Sequence, residues 1–150
     1  MELMITVTVL GILAAVALPS LTNLVRGQRV KTATSDVFAS LIYARSEAIK
    51  RAADVKIVPN TTDWAAGWKV QDAGGTNLRI QDPFYGVTVS PAAATITFRR
   101  DGRLTAVATV EFILSSSFGA AITARCVRLT PSGQPNIKVD TNGNPADGCQ

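Results

Sequence analysis

The sequence contains no histidine. Histidine is the side chain most used for proton transfer near neutral pH and a common metal ligand, so its absence removes the usual acyl-transfer and metal-hydrolase chemistries together. Cysteine is nearly absent too: Cys126 and Cys149 are the two there are, and two thiolates do not complete a tetrahedral zinc site. There is no glycine-rich phosphate cradle, no obvious carboxylate pair and no lysine–serine dyad spacing, and Ser115-Ser116-Ser117 has neither a base nor a nucleophile-elbow context. These absences point away from an enzyme, and no cofactor or metal is expected. Charge is also sparse, at 17% of residues against about a quarter in ordinary soluble domains, while 47% of residues are apolar. A chain of that balance is not disordered, and part of its surface meets lipid or a partner.

The apolar excess is concentrated at the start. From Leu3 to Val25 no residue is charged, and Leu, Ile, Val and Ala dominate; as a helix rising about 1.5 Å per residue, this run covers a bilayer core of about 30 Å. Gly11 and Pro19 interrupt it, which lipid-embedded helices tolerate, and Pro19 is expected to bend or loosen the helix. A secretory signal peptide is the competing reading, but no basic segment precedes the run and the periodic pattern continues past any cleavage point. Glu2 stands alone at the head of the run. Either it lies at the interface in the first helical turn, where the macrodipole favours an anion, or it needs a partner within the membrane.

Beyond the run the helical period persists but acquires two sides. Val30, Ala33, Val37, Leu41, Ala44, Ala48, Ala52 and Val55 recur at spacings of three and four, with Phe38, Ile42 and Ile49 widening the stripe. Lys31, Ser35, Ser40, Lys50 and Asp54 fall on the polar side, and Glu47 is placed to pair with Arg51 one turn on. One helix is expected from the first residues to about residue 53, roughly 80 Å long. Its front, segment 1–25, faces lipid or other helices; its back lays the stripe on a sheet within a head of 26–150. Residues 26–56 are basic, carrying Arg26, Arg29, Lys31, Arg45, Lys50, Arg51 and Lys56 against Asp36, Glu47 and Asp54. Such a stretch is a solvated helix face, the cytoplasmic flank of a membrane helix, or a face near anionic lipid.

After Val55, short β-rich runs alternate with turn formers at 56–58, 67–71, 78–81, 87–90, 95–99, 105–114, 125–130 and 137–139. They read as a mainly antiparallel sheet, with tight turns at Asp72-Ala73-Gly74-Gly75, Asp101-Gly102 and Pro131-Ser132-Gly133. Trp64, Trp68 and Phe98 are assigned to helix-to-sheet packing rather than to a ligand platform. Cys126 and Cys149, set among Gly143, Pro145 and Gly148, read as a disulfide closing a loop of about 24 residues, worth roughly 3 kcal/mol in an oxidising compartment; the alternative is two unrelated thiols. The fold class is α+β.

Glu2-Leu3-Met4-Ile5-Thr6-Val7, running into an apolar stretch that ends Ala17-Leu18-Pro19-Ser20, resembles the start of type IV pilins and type II secretion pseudopilins. Ala44-Arg45-Ser46-Glu47-Ala48-Ile49-Lys50-Arg51, Gly67-Trp68, Phe98 followed four residues later by Gly102, and the late cysteine pair are similar to the GspH/FimT branch of minor pilins. The resemblance covers most of the chain and implies a type IV pilin-like fold, a long N-terminal helix packed on a mainly antiparallel head. It further implies a subunit held by a single pass in the bacterial inner membrane with its head in the periplasm. Such a subunit is cleaved by prepilin peptidase, N-methylated, and moved into a filament of other pilins at the cell surface. Glu2 then corresponds to the glutamate that neutralises the N-terminal amine of a neighbouring subunit or assists its docking, since a paired charge is tolerated in burial where a lone one is not. The basic leader and glycine that precede the cleavage point in the family are not in this sequence, and a trimmed start is expected.

The function this resemblance implies is structural, a minor pilin that helps to initiate or cap a type IV pilus through helix packing. Two other roles stay open, a type II secretion pseudopilin and a pilin that captures DNA in natural transformation. Some FimT-like pilins bind DNA through an arginine-bearing motif in the tail; here the turn after the first cysteine reads Ser132-Gly133-Gln134-Pro135-Asn136, without arginine. Arg99, Arg100 and Arg103 around the Asp101-Gly102 turn, with Arg125 and Arg128 on a strand, are the candidate phosphate contacts.

Overall fold

The computed structural model describes residues 2–90, 95–119, 122–144 and 147–149, and for 14–19 the backbone alone. A single helix, α1, spans Glu2–Arg51. It continues as helix through Gly11 and Pro19. Among the described residues no helix is long and apolar enough to cross a membrane; the middle of the run on which that expectation rested, 14–19, lies outside the described side chains.

α1 ends by a defined closure. The Ala52 N–H donates to the Ile49 carbonyl and the Ala53 N–H to the Ala48 carbonyl, both at 3.2 Å, with Ala52 at φ 50°. This is a Schellman motif, whose left-handed residue is ordinarily glycine. Ala52 therefore leaves the stripe and is exposed, while Val55 is buried as the first residue of a strand. Ala52→Gly relieves a Cβ held in the left-handed region and is expected to stabilise the protein by about 1 kcal/mol. Urea unfolding checks this: a higher midpoint with unchanged slope is the expected result, and an unchanged or lower midpoint contradicts it.

The strands are β1 (Val55–Pro59), β2 (Trp68–Gln71), β3 (Asn77–Gln81), β4 (Val87–Ser90), β5 (Ile96–Phe98), β6 (Val110–Ser116), β7 (Arg125–Leu129) and β8 (Pro135–Val139). They form two four-stranded antiparallel sheets, ordered β3-β2-β1-β5 and β4-β6-β7-β8. The second sheet starts at β4 because the chain leaves β3 through a loop in which the Phe84 N–H donates to the Ala65 carbonyl at 2.9 Å. The run expected over 105–114 becomes a strand only from Val110. Before it, the Leu104 N–H donates to the Pro131 carbonyl and the Thr105 N–H to the Thr97 carbonyl, leaving Val107 94% exposed. All three tight turns form: Gly75 N–H to the Asp72 carbonyl, Gly102 N–H to the Arg99 carbonyl and Gly133 N–H to the Thr130 carbonyl.

The core lies where α1 meets both sheets. Val30, Ala33, Val37, Leu41, Ala44 and Ala48 are buried on the helix. The buried arc widens along the line Ala33, Ser40 and Glu47, not along Ile42 and Ile49, which are exposed. Ser40 therefore belongs to the buried side rather than the polar one. Ala33 and Ser40 on that line are small enough to suit close helix–sheet packing. Aromatic rings bridge the two sheets: Phe84 to Trp68 at 5.5 Å, Trp68 to Trp64 at 5.8 Å, and Trp64 edge-on to Phe112 of β6 at 4.8 Å. Phe98 is fully buried as well, and both tryptophans are core residues.

Candidate assembly interface

The front of α1 carries an apolar surface that the head does not cover. Leu3, Met4, Ile5, Leu10, Leu21 and Leu24 are all well exposed, and helix burial against the sheets begins at Val30. Two of its hydroxyls are turned inward on the helix: Thr6 Oγ1 donates to the Leu3 carbonyl at 2.9 Å and Thr8 Oγ1 to the Met4 carbonyl at 2.7 Å. Such a surface has little to offer water and much to offer other apolar surfaces. Glu2 lies in the first turn of α1, where the helix dipole favours an anion, and is exposed.

At the other end of α1, Glu47 accepts from Arg51 Nε at 2.6 Å and lies 3.6 Å from Lys50 Nζ. The Arg51 guanidinium beside it holds its carboxyl below the ordinary value of 4.5, with Lys50 adding to the effect. The folded carboxyl is the more acidic one, so this contribution to stability is present above pH 4.5 and fades as pH falls through the depressed value. The expected pairing is thus present. The same helical segment makes a junction that sequence spacing does not reveal. A Cβ at Gly102, where φ is 76°, would sit 2.7 Å from Ile49 Cδ1 and 3.2 Å from Arg45 Nε, and a Cβ at Gly133 would run into the Gly102 carbonyl. The helix-end motif and both glycine turns meet at one point, which is the physical reason for glycine at each.

The five candidate DNA-contacting arginines do not form one patch. Arg99, Arg100 and Arg103 are exposed together around the turn after β5; there Asp101 accepts from the Arg103 backbone N–H at 3.0 Å, which with the flanking Arg99 and Arg103 charges holds its carboxyl below the usual range. Arg125 and Arg128 are three residues apart on β7 and so point to opposite faces. Arg128 is engaged with Glu111 of β6 at 3.3 Å. Cys126 shares the outer face of β7 with Arg128 and bonds to Cys149, so the pair is a disulfide and not two separate thiols. It draws the C-terminal segment over that face, with Gly148 against the Glu111 carboxylate. Of the expected turn formers beside it, Pro145 lies outside the described residues. Sequence reading also missed a cluster of Arg26, Arg29, Tyr85 and Phe118 at the root of the head, where both guanidiniums lie over rings; its members are scattered along the chain, and only the loops bring them together.

The long helix on two antiparallel sheets matches solved structures. The Pseudomonas aeruginosa type IV minor pilin FimU, in two crystal forms, superposes with TM-scores of 0.66 and 0.63 at 21% identity. The matches cover 78% and 76% of this chain and 96% and 99% of those chains. No curated protein matches in sequence. A family model described as type II transport protein GspH matches residues 33–133, a segment that contains the buried stripe from Ala33 onward and both glycine turns, the first of them the arginine-bearing one. The chain belongs to the GspH family, with the type IV pilin fold of a structural subunit rather than an enzyme.

Proposed function

We propose that this protein is a structural minor pilin that assists initiation and assembly of a type IV pilus. One observation carries the reading: among the described residues, the apolar side chains of the front of α1, from Leu3 to Leu13 and from Leu21 to Val25, are exposed and not covered by the head. That surface lodges in lipid before assembly and exchanges lipid for the helices of other pilins afterwards, with Glu2 meeting the N-terminal amine of a neighbour. FimU, a type IV minor pilin by description, supports the same reading through its fold.

The test is to delete the protein in its host and restore it as wild type or Glu2→Ala. Loss of surface pili on deletion, recovery with wild type and no recovery with Glu2→Ala, while the variant still accumulates in the membrane fraction, is the expected result. Normal piliation with lost protein secretion would assign the subunit to a type II secretion system instead. DNA uptake that fails in an Arg99→Ala, Arg100→Ala, Arg103→Ala variant with normal pili would move DNA capture to first place; these three share one exposed turn.

A further inference from the structure

Where α1 enters the head, Arg26, Phe118, Tyr85 and Arg29 stack in series, with the two rings between the two guanidiniums. The Arg26 guanidinium lies 5.1 Å from the Phe118 ring centroid, the Arg29 guanidinium 5.1 Å from that of Tyr85, and the two rings are 5.9 Å apart. The rings come from separate loops, Tyr85 between β3 and β4 and Phe118 after β6. Those loops are tied by the Ser117 N–H donating to the Gly86 carbonyl at 3.2 Å. Gly86 is at φ 76°, and a Cβ there would run into the Phe118 ring. The contact between loop, ring and helix is therefore built into the fold.

Three properties of this cluster narrow its partner. It carries two positive charges without a counter-ion: among the described residues neither Arg26 nor Arg29 forms an ion pair, and Asp82, on the loop that carries Tyr85, and Asp36, on α1, pair with neither. Its aromatic surface is open, Tyr85 being 75% and Phe118 45% exposed. It adjoins a groove of about 470 Å³ whose walls include Leu24, Val25, Pro83 and Phe84. Arg26 is also the first charged residue after the run Leu3–Val25. Cations with amphipathic rings at the end of an apolar helical run are the composition of a membrane interface, where rings rest at headgroup level and arginines meet phosphate.

We propose that this cluster is a headgroup collar for anionic phospholipid. Arg26 and Arg29 take the phosphodiester, Tyr85 and Phe118 lie in the headgroup layer, and the groove receives the upper acyl carbons. The proposal rests on the reading that the front of α1 lodges in lipid before assembly. Its consequence is that two loops of the head are held against the bilayer until the subunit is extracted.

The full chain is reconstituted into nanodiscs of phosphatidylcholine, with or without phosphatidylglycerol, and amide exchange is followed over residues 83–86 and 117–119. Phosphatidylglycerol is expected to slow exchange several-fold in the wild type and in Lys56→Gln, Lys138→Gln, which removes equal charge elsewhere on the head, but not in Arg26→Gln, Arg29→Gln. Resistance to alkaline extraction reports insertion separately. Equal exchange in both lipids for an inserted chain overturns the collar alone; a chain that washes off overturns insertion and the collar with it. Equal loss in both double variants reduces the effect to net charge and also overturns it. Slowing of the same amides by single-stranded DNA in detergent, with no response to phosphatidylglycerol, reassigns the stack to nucleic acid.

Discussion

Phe112→Ala is expected to lower the unfolding free energy by about 3–5 kcal/mol, as removal of a fully buried aromatic does when the surroundings relax only partly. Phe112 is 0% exposed and meets Trp64 edge-on. Its loss opens the place where the ring chain from the first sheet reaches the second, so the aromatic contact between the sheets goes along with the buried area. Against a whole stability of about 5–15 kcal/mol, this leaves a head near its folding threshold. Both tryptophans of the chain lie in that ring chain, so intrinsic fluorescence in a urea titration reads the event directly. A drop below about 1 kcal/mol, the level of an exposed substitution, would show that the sheets hold together without the aromatic bridge.

Removing the disulfide has the second large effect. Cys126 and Cys149 are 23 residues apart in sequence, and a closed loop of that size restricts the unfolded chain by roughly 3 kcal/mol. Cys126→Ser, Cys149→Ser is expected to lose about that amount, shifting Tm by several degrees per kcal/mol for a head of this size. The loss has a place as well as a size. The tail beyond β8 is tied to the outer face of β7 at its far end, so amides from Asp140 onward exchange faster while those of β6 and β7 stay protected. An unchanged Tm under reducing conditions would mean that the tail is held by its other contacts, such as Asp140 N–H on the Ala124 carbonyl at 3.0 Å.

What could be read from residues alone was whatever depends on local spacing. The helix, its stripe from Val30 to Ala48, the Glu47–Arg51 pair and the three glycine turns are each encoded within a few residues of themselves, and all are present. The division into two sheets was not legible, because it depends on Phe84 finding the Ala65 carbonyl across the head. The same is true of Val107: an alternating run looks like a strand until Leu104 and Thr105 commit their amides elsewhere. Ser40 was misjudged because polarity was taken as the criterion where size decided; a small side chain suits a close helix–sheet approach whatever its hydroxyl prefers. The arginines show the limit most clearly. Charge is visible in a sequence, but the opposite orientations of Arg125 and Arg128 and the engagement of Arg128 by Glu111 follow from strand register.

Both sheets are fastened to one helix, and that has a mechanical side. Tension applied at the Glu2 end runs along the axis of α1 and reaches the head over the whole length from Val30 to Ala48, instead of at a single terminus. To detach the helix, the side chains of the stripe must slide past two sheets at once, a shearing geometry in which many contacts resist together. Survival under pull is governed by the unfolding rate rather than by equilibrium stability. A subunit of this design holds by the number of contacts broken in the same instant, the buried Ala44 and Ala48 among them.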